Sequence, residues 1–396
     1  MSLTDTPNAN RLHITLFGRR NSGKSSLINA LTGQDTALVS NTPGTTTDLV
    51  SKAMEIQGIG PCLFIDTPGF DDEGALGELR ISRTLKAIEK TDIALLLCED
   101  TTLFHEKEIL ALLKEKNIPV IPVLNKIDIR ENSDHLATYI EEQCKIHPLL
   151  ISAKEKIGIE LIRQAILEKL PSDFGQQSIT RELVTENDLV LLVMPQDIQA
   201  PKGRLILPQV QTIRELLDKK CLVVTCTTDK FSVTLQALAR PPKLIITDSQ
   251  VFKAIYEQKP KESELTSFSV LFAGYKGDIH YYVESAAVIE RLTESSRVLI
   301  AEACTHAPLS EDIGRVKLPR LLRKWIGENL QIDMVAGTDF PQDLTPYSLV
   351  IHCGACMFNR KYVLSRIERA REQHIPMTNY GVAIAFLNGI LDQIKY

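Results

Sequence analysis

LHITLFGRRNSGKSSLINAL, residues 12–31, is the stretch that decides the fold. Apolar residues run through Leu12–Phe17 and predict a strand. Gly18-Arg-Arg-Asn-Ser-Gly23-Lys24-Ser25 follows, and Ser26-Leu-Ile-Asn-Ala-Leu then has helical spacing. Strand, G-x-x-x-x-G-K-S and helix, in that order, make a phosphate-binding loop in its proper setting. The glycines let backbone N–H groups approach an anion, and the helix N-terminus adds positive potential. Lys24 is expected to reach the β- and γ-phosphates, and the Ser25 hydroxyl to hold Mg²⁺. Gly18, Asn21, Ser22, Gly23, Lys24, Ser25 and Ser26 are the candidate nucleotide contacts here.

Further motifs follow at suitable intervals. Thr45-Thr46-Thr47 lies in a loop with proline and glycine, where a hydroxyl completes a Mg²⁺ shell. Leu63-Phe-Ile-Asp66-Thr-Pro-Gly69 is a strand ending in D-x-x-G. Asp66 is expected to meet Mg²⁺ through water, and the Gly69 N–H to meet the γ-phosphate. The strand Val120–Leu124 ends in Asn125-Lys126-Ile-Asp128. A carboxylate there accepts hydrogen bonds from guanine N1–H and N2–H₂, a pair that adenine lacks, so the site selects GTP. Ser152-Ala153-Lys154, after Leu149–Ile151, closes over the base.

Over about residues 10–170 these motifs resemble the translation-factor-like GTPases of the TrmE/Era type. The resemblance implies that Thr46 is the switch-I threonine on Mg²⁺ and that Asn21 helps to hold K⁺ against the phosphates, beneath the loop Ser40–Thr45. Phe70 stands where Ras-like proteins carry a water-positioning glutamine, and an apolar ring cannot orient water. By the same resemblance Glu78 orients it instead. An asparagine that only tightens the loop, and carboxylates that are only solvated surface, are the alternatives. Lys24, Thr46, Asp66, Gly69 and Glu78 are thus the candidate catalytic residues, and slow hydrolysis, faster with K⁺ than with Na⁺, is expected.

The 396 residues allow two or three domains. A net charge of −5 gives no overall field that favours nucleic acid or an anionic membrane, so neither is an expected partner. The opening MSLTDTPNANRL lacks the apolar core of a signal peptide, and the apolar runs are too short to span a bilayer. A cytoplasmic protein is expected. The architecture reads as α/β in three domains, a P-loop Ras-like GTPase domain over 1–172 and two smaller parallel-sheet α/β domains over 173–265 and 266–396. In the middle one, Leu189–Met194, Leu222–Cys226 and Leu244–Thr247 read as strands, and Lys202 and Arg204 as solvated charge. It holds no nucleophile–base pair and no ligand cluster, which points to homodimerisation. In the last, Phe268–Phe272, Val298–Ala301 and Tyr347–Ile351 read as strands and Trp325 as a core residue. Cys62, Cys98, Cys144, Cys221 and Cys226 sit in or beside apolar strands and read as buried thiols.

Cys304-Thr-His306 and His352-Cys353-Gly354-Ala355-Cys356 each leave the C-terminal end of a predicted strand, the edge where open α/β sheets bind ligands. Gly354 is expected to permit the tight turn. Three thiols with a histidine hold zinc tetrahedrally, or a 4Fe–4S cluster at three corners. A redox thiol pair is a third reading. His306 and His352 are each a candidate fourth ligand or a structural neighbour. C-x-H, a spacer and H-C-x-x-C, with Glu311-Asp312-Ile-Gly-Arg-Val and Met357-Phe-Asn-Arg360, resemble the FeFe-hydrogenase maturation GTPases of the HydF family. That resemblance covers essentially the whole chain. It implies a 4Fe–4S cluster on Cys304, Cys353 and Cys356, a dimerising middle domain, and a scaffold or carrier for the diiron precursor of the hydrogenase subcluster. Radical-SAM maturases and apo-FeFe-hydrogenase are the implied partners. Ala355 departs mildly, standing where a second glycine is common. Two other readings remain: an RNA-associated GTPase of ribosome assembly or tRNA modification with structural zinc, and a GTP-dependent metallochaperone for another metal.

Overall fold

A computed structural model describes residues 6–33, 50–69, 83–171, 174–175, 177–195, 205–303 and 313–396. They fall into two units, Met1–Gly175 and Gln176–Tyr396. The first is built on β1 (Leu12–Gly18), β2 (Val50–Ile56), β3 (Gly60–Asp66), β4 (Ile93–Cys98), β5 (Val120–Leu124) and β6 (Leu149–Leu150). Their order is β2-β3-β1-β4-β5-β6, with β2 antiparallel to β3 and the other pairings parallel. Helices α1 (Lys24–Thr32), α2 (Phe104–Glu115), α3 (Ser133–Cys144) and α4 (Ile159–Glu168) accompany it. Two apolar clusters form, one around Leu16, Leu27 and Ile162, the other around Leu96, Leu110 and Ile140. Strands β1, β4 and β5 are therefore buried along their whole length and read as continuous apolar runs. Because these strands are parallel, the phosphate loop, D-x-x-G, N-K-x-D and S-A-K all leave the same sheet edge.

The second unit holds two all-parallel sheets. One contains β7 (Leu189–Val193), β8 (Leu222–Cys226), β9 (Leu244–Thr247) and β10 (Glu264–Ser267) in the order β10-β9-β7-β8. The other contains β11 (Arg297–Glu302), β12 (Gln331–Ala336), β13 (Leu349–His352) and β14 (Met377–Asn379) in the order β12-β11-β13-β14. The helices are α5 (Leu207–Asp218), α6 (Phe231–Ala237), α7 (Phe252–Gln258), α8 (Phe268–Lys276), α9 (Ile279–Ala286), α10 (Leu318–Ile326), α11 (Arg360–Glu372) and α12 (Tyr380–Leu387). One apolar cluster joins Leu191, Phe231 and Phe252 to Ala301, Val350 and Val382, so the two sheets share a core.

Two expectations are corrected. Phe268–Phe272 is not a strand but the first half of α8, and the strand there is β10. Phe268, Val270, Leu271, Phe272 and Ala273 are all buried, so the helix has no polar face and its apolar run carries no helical period. The Ser267 side chain caps it by accepting the Val270 N–H. Trp325 is 53% exposed, edge-on to Phe386, and is not a core residue. Among the described residues no helix is long and apolar enough to cross a membrane.

Candidate functional site

The phosphate loop is fixed by its glycines. Gly23 has φ +91°, and a Cβ there would lie 2.2 Å from Asn125 Nδ2. At Gly18 it would lie 2.7 Å from Ser22 Oγ. Asn21 is also left-handed, at φ +62°, with its side chain exposed. The buried Lys24 Nζ donates to the carbonyls of Gly18 at 2.9 Å and Arg19 at 2.7 Å, inside the turn of the loop. Ser25 Oγ donates to Asp66 Oδ2 at 2.6 Å, so the two residues assigned to Mg²⁺ already meet. Burial raises the Asp66 pKa, against the Ser25 hydrogen bond and the Lys24 charge. Ser22 is buried, Ser26 exposed, and Gly69 half-buried.

Asn125 ties the base-side motifs to that loop. Its Nδ2 donates to Ser22 O at 3.0 Å, and its Oδ1 accepts the Ala153 N–H at 3.0 Å. Ser152 Oγ donates to Asp128 Oδ1 at 2.6 Å and accepts the Glu155 N–H. The Ser152 bond holds the exposed Asp128 carboxyl below its ordinary pKa. Lys126 is left-handed at φ +65° and reaches Glu99 at 3.0 Å. Lys154 is exposed beside Glu155. Thr46 and Glu78 lie outside the described residues.

In the second unit, Cys353 follows β13 directly. Its Sγ accepts the Ala303 N–H at 2.9 Å and the Ala355 N–H at 3.4 Å. Two backbone donors on one sulfur favour a thiolate and suit a soft-metal ligand. The left-handed residue of the turn is Ala355, at φ +48° with a buried side chain, and not Gly354. Cys356 is half-buried; Cys304 and His306 lie outside the described residues. His352 is 1% exposed, with Nε2 2.8 Å from Arg366 Nη1 and Nδ1 2.7 Å from Cys353 O. A guanidinium only donates, so Nε2 accepts and the proton sits on Nδ1. Burial, and then the Arg366 charge, lower the His352 pKa to about 3 and keep it neutral. The buried Arg366 also donates to Gly337 O and Tyr362 Oη and lies over the Phe340 and Tyr362 rings. From the end of α8, the buried Lys276 Nζ reaches the carbonyls of Ala355, Cys356 and Phe358.

Among the described residues no three His, Cys, Asp or Glu side chains form a group that could hold a metal ion. Cys353 and Cys356 alone, with the N–H donors on Cys353, fit a thiolate-bound metal or cluster. Cys62, Cys98, Cys144 and Cys221 are buried, as expected of packed thiols, and burial pushes Cys62 up to about 12. Cys226 is only half-buried. Sequence reasoning missed Lys276 and Arg366. A lysine closing the apolar run FSVLFAGYK was a usable signal; Arg366, inside a basic helix, gave none.

Three family models match the chain. Residues 13–126 match the 50S ribosome-binding GTPase model, 179–277 the hydrogen maturase F dimerization domain and 280–395 the hydrogen maturase F tetramerization domain. The tRNA modification GTPase MnmE of Dechloromonas aromatica is 40% identical over 161 residues, 39% of this chain and 34% of that protein. GTPase Der of Wolinella succinogenes is 36% identical over 171 residues, 40% of this chain and 35% of that protein. The chain thus spans about a third of the length of these relatives. A crystal structure of Aquifex aeolicus Era bound to GDP·AlF4⁻ aligns with 54% of this chain and 92% of its own, at 22% identity and a TM-score of 0.35.

Proposed function

The chain belongs to the hydrogen maturase F family, and on that premise we propose that it is a GTP-hydrolysing scaffold or carrier in FeFe-hydrogenase maturation. The observation that carries this reading is the Cys353 sulfur, which accepts the Ala303 N–H just after β11 and the Ala355 N–H of its own turn, both inside the tetramerization match. Cys304, Cys353 and Cys356 are the ligands we assign to a 4Fe–4S cluster. Three cysteines leave a fourth corner for an exchangeable ligand, as a carrier needs. His352 has both ring nitrogens engaged, which leaves that corner to His306, to another residue of the chain such as a carboxylate, or to a ligand from outside it. The cargo is the diiron precursor, the partners are radical-SAM maturases and apo-hydrogenase, and the setting is cytoplasmic.

The GTPase segment supplies the switch. Lys24 would leave its own loop carbonyls for the β- and γ-phosphates, and Ser25 would exchange Asp66 for Mg²⁺. Asp128 selects guanine, with Asn125, Lys126, Ser152, Ala153 and Lys154 shaping the base site. Thr46 and Glu78 keep their expected roles on Mg²⁺ and on the attacking water, and Asn21 its role on K⁺. We keep the first division at residues 1–172 and place the second after α8, in the interval between the two hydrogen maturase matches, rather than at 265. The curated relatives that modify tRNA share only the GTPase segment, so they lend no support to an RNA substrate here.

Anaerobic purification with a visible spectrum and iron, sulfide and zinc analysis tests this. A brown protein that loses its iron in Cys353→Ala is expected. A colourless protein with one tight zinc sinks the cluster. GTP turnover should be faster in K⁺ than in Na⁺, and equal rates remove the potassium assignment.

A further inference from the structure

Lys276 is 2% exposed at the C-terminus of α8. Its Nζ lies 2.9 Å from Ala355 O, 3.3 Å from Cys356 O and 2.7 Å from Phe358 O. An ammonium has three protons, and these three acceptors lie on one turn, the one that carries Cys353 and Cys356. Removing a charge from water costs several kcal/mol unless dipoles replace the lost hydration. Convergent carbonyls do that only while the turn keeps this shape, so the lysine and the turn stabilise each other. The shape needs such support. Ala355 sits at φ +48°, in the left-handed region that a residue with a Cβ rarely adopts.

On the far side of the sequence motif, Arg366 is also buried and bonds His352, the residue before Cys353. Buried cations from α8 and α11 therefore bracket H-C-x-x-C. Lys276 lies in the dimerization match, while the turn it grips lies in the tetramerization match. The geometry of the thiol turn is thus held from the neighbouring segment. Thiolate sulfurs and whatever they bind gain negative charge on reduction, and a fixed positive charge nearby favours the reduced state.

We propose that Lys276 is the positioning residue of the H-C-x-x-C turn, locking its backbone from α8 and raising the reduction potential of a cluster held by Cys353 and Cys356. The second half rests on the metal reading given above; the first does not.

The full-length Lys276→Met variant removes donors and charge together. Lys276→Gln keeps two N–H donors and removes the charge and the third donor. In the metal-free proteins, hydrogen exchange of residues 353–359 should be about tenfold faster or more in Lys276→Met and partly restored in Lys276→Gln. The amides of β11 and β13 report whether each variant is folded and should not change. If Lys276→Met does not fold, the Gln variant carries the comparison, with an intermediate acceleration expected. Unchanged exchange in the folded variants overturns the positioning role. In the iron-loaded proteins, an EPR-monitored redox titration should give a lower midpoint potential for both variants, and an unchanged midpoint in both overturns the charge effect. A wild type that takes up no iron removes the metal reading and the potential effect with it, while the exchange result stands by itself.

Discussion

Asn125 is the side chain on which the phosphate loop, N-K-x-D and S-A-K meet. It is 3% exposed and bonds Ser22 O on one side and the Ala153 N–H on the other. Truncation to alanine leaves both groups buried without a partner, at a cost of about 1–3 kcal/mol each. Asn125→Ala should therefore lower the stability of the first unit by about 2–6 kcal/mol, read by urea denaturation. It should also weaken a fluorescent GTP analogue by at least about tenfold, because the base site loses its tie to the phosphate loop. Wild-type stability together with wild-type affinity would contradict this role. Gly23 shows why the position beside Asn125 admits no side chain, since its added Cβ would meet Nδ2 at 2.2 Å. Residue type and spacing placed Asn125 in the base-side motif and Gly23 in the phosphate loop, but not the bonds and close packing that join them. Arg366 gave no signal and Lys276 only its place at the close of an apolar run, because burial of a charge depends on partners far away in sequence, here 79 residues for Lys276 and Ala355.

At the scale of elements, α5 is tied to the segment before β7 by one carboxylate. Glu215 accepts hydrogen bonds from Ser178 Oγ, Ile179 N–H, Thr180 N–H and Thr180 Oγ1. Burial opposes its charge, but the bonds from Thr180, Ile179 and Ser178 outweigh it and hold its pKa below the ordinary value. A lowered folded pKa means that the unfolded chain binds the proton more tightly. The stabilisation is therefore complete above the unfolded value, near pH 4.5, and is lost as pH falls through the folded one. Glu215→Gln should cost the second unit about 1–3 kcal/mol at pH 7, with the gap to wild type closing below about pH 4. A gap that is constant with pH in denaturation curves would count against the charged carboxylate. Strand β8 raises a different question, since it is the outer strand of its sheet. Leu222 N–H and Cys226 O bond towards β7, so by alternation the main-chain groups of Val223 and Thr225 point away from it. The opposite edge, β10, is covered by the chain's last residues, with the Lys395 N–H on Leu265 O. Among the described residues no strand pairs with the outer edge of β8, and this edge, beside the exposed Leu222 in a segment that matches a dimerization domain, is where a second copy is expected to pair. Thr225→Pro removes an outward N–H without touching β7. Light scattering should show the assembly one step smaller, and an unchanged mass would place the contact elsewhere. The sequence revealed β8 through its apolar run, but not its edge position. Pattern reading also missed β12, a half-exposed edge strand, and misassigned α8, whose all-round burial erases the helical period.

Across the whole molecule, three family matches coexist with two units of packing. Three segments were legible because each begins a new run of strand–helix alternation. That the last two fold as one was not, because their shared core gathers positions far apart in sequence, such as Leu191 and Val382. Cooperative unfolding follows shared cores rather than sequence segments. Scanning calorimetry of the full chain should therefore show two transitions, one for residues up to Gly175 and one for the remainder. A nucleotide bound only by the first unit stabilises it by RT ln(1 + [L]/Kd), about 2.7 kcal/mol at 100 times Kd. Saturating GDP with Mg²⁺ should raise the first transition by several degrees and leave the second in place. If the dimerization and tetramerization segments melted apart, giving three transitions, the shared core would not be cooperative. The grip of Lys276 on the thiol turn would then join two separately unfolding bodies. If GDP raised both transitions together, the units would be coupled in solution, and nucleotide state would reach the thiol site through the fold itself.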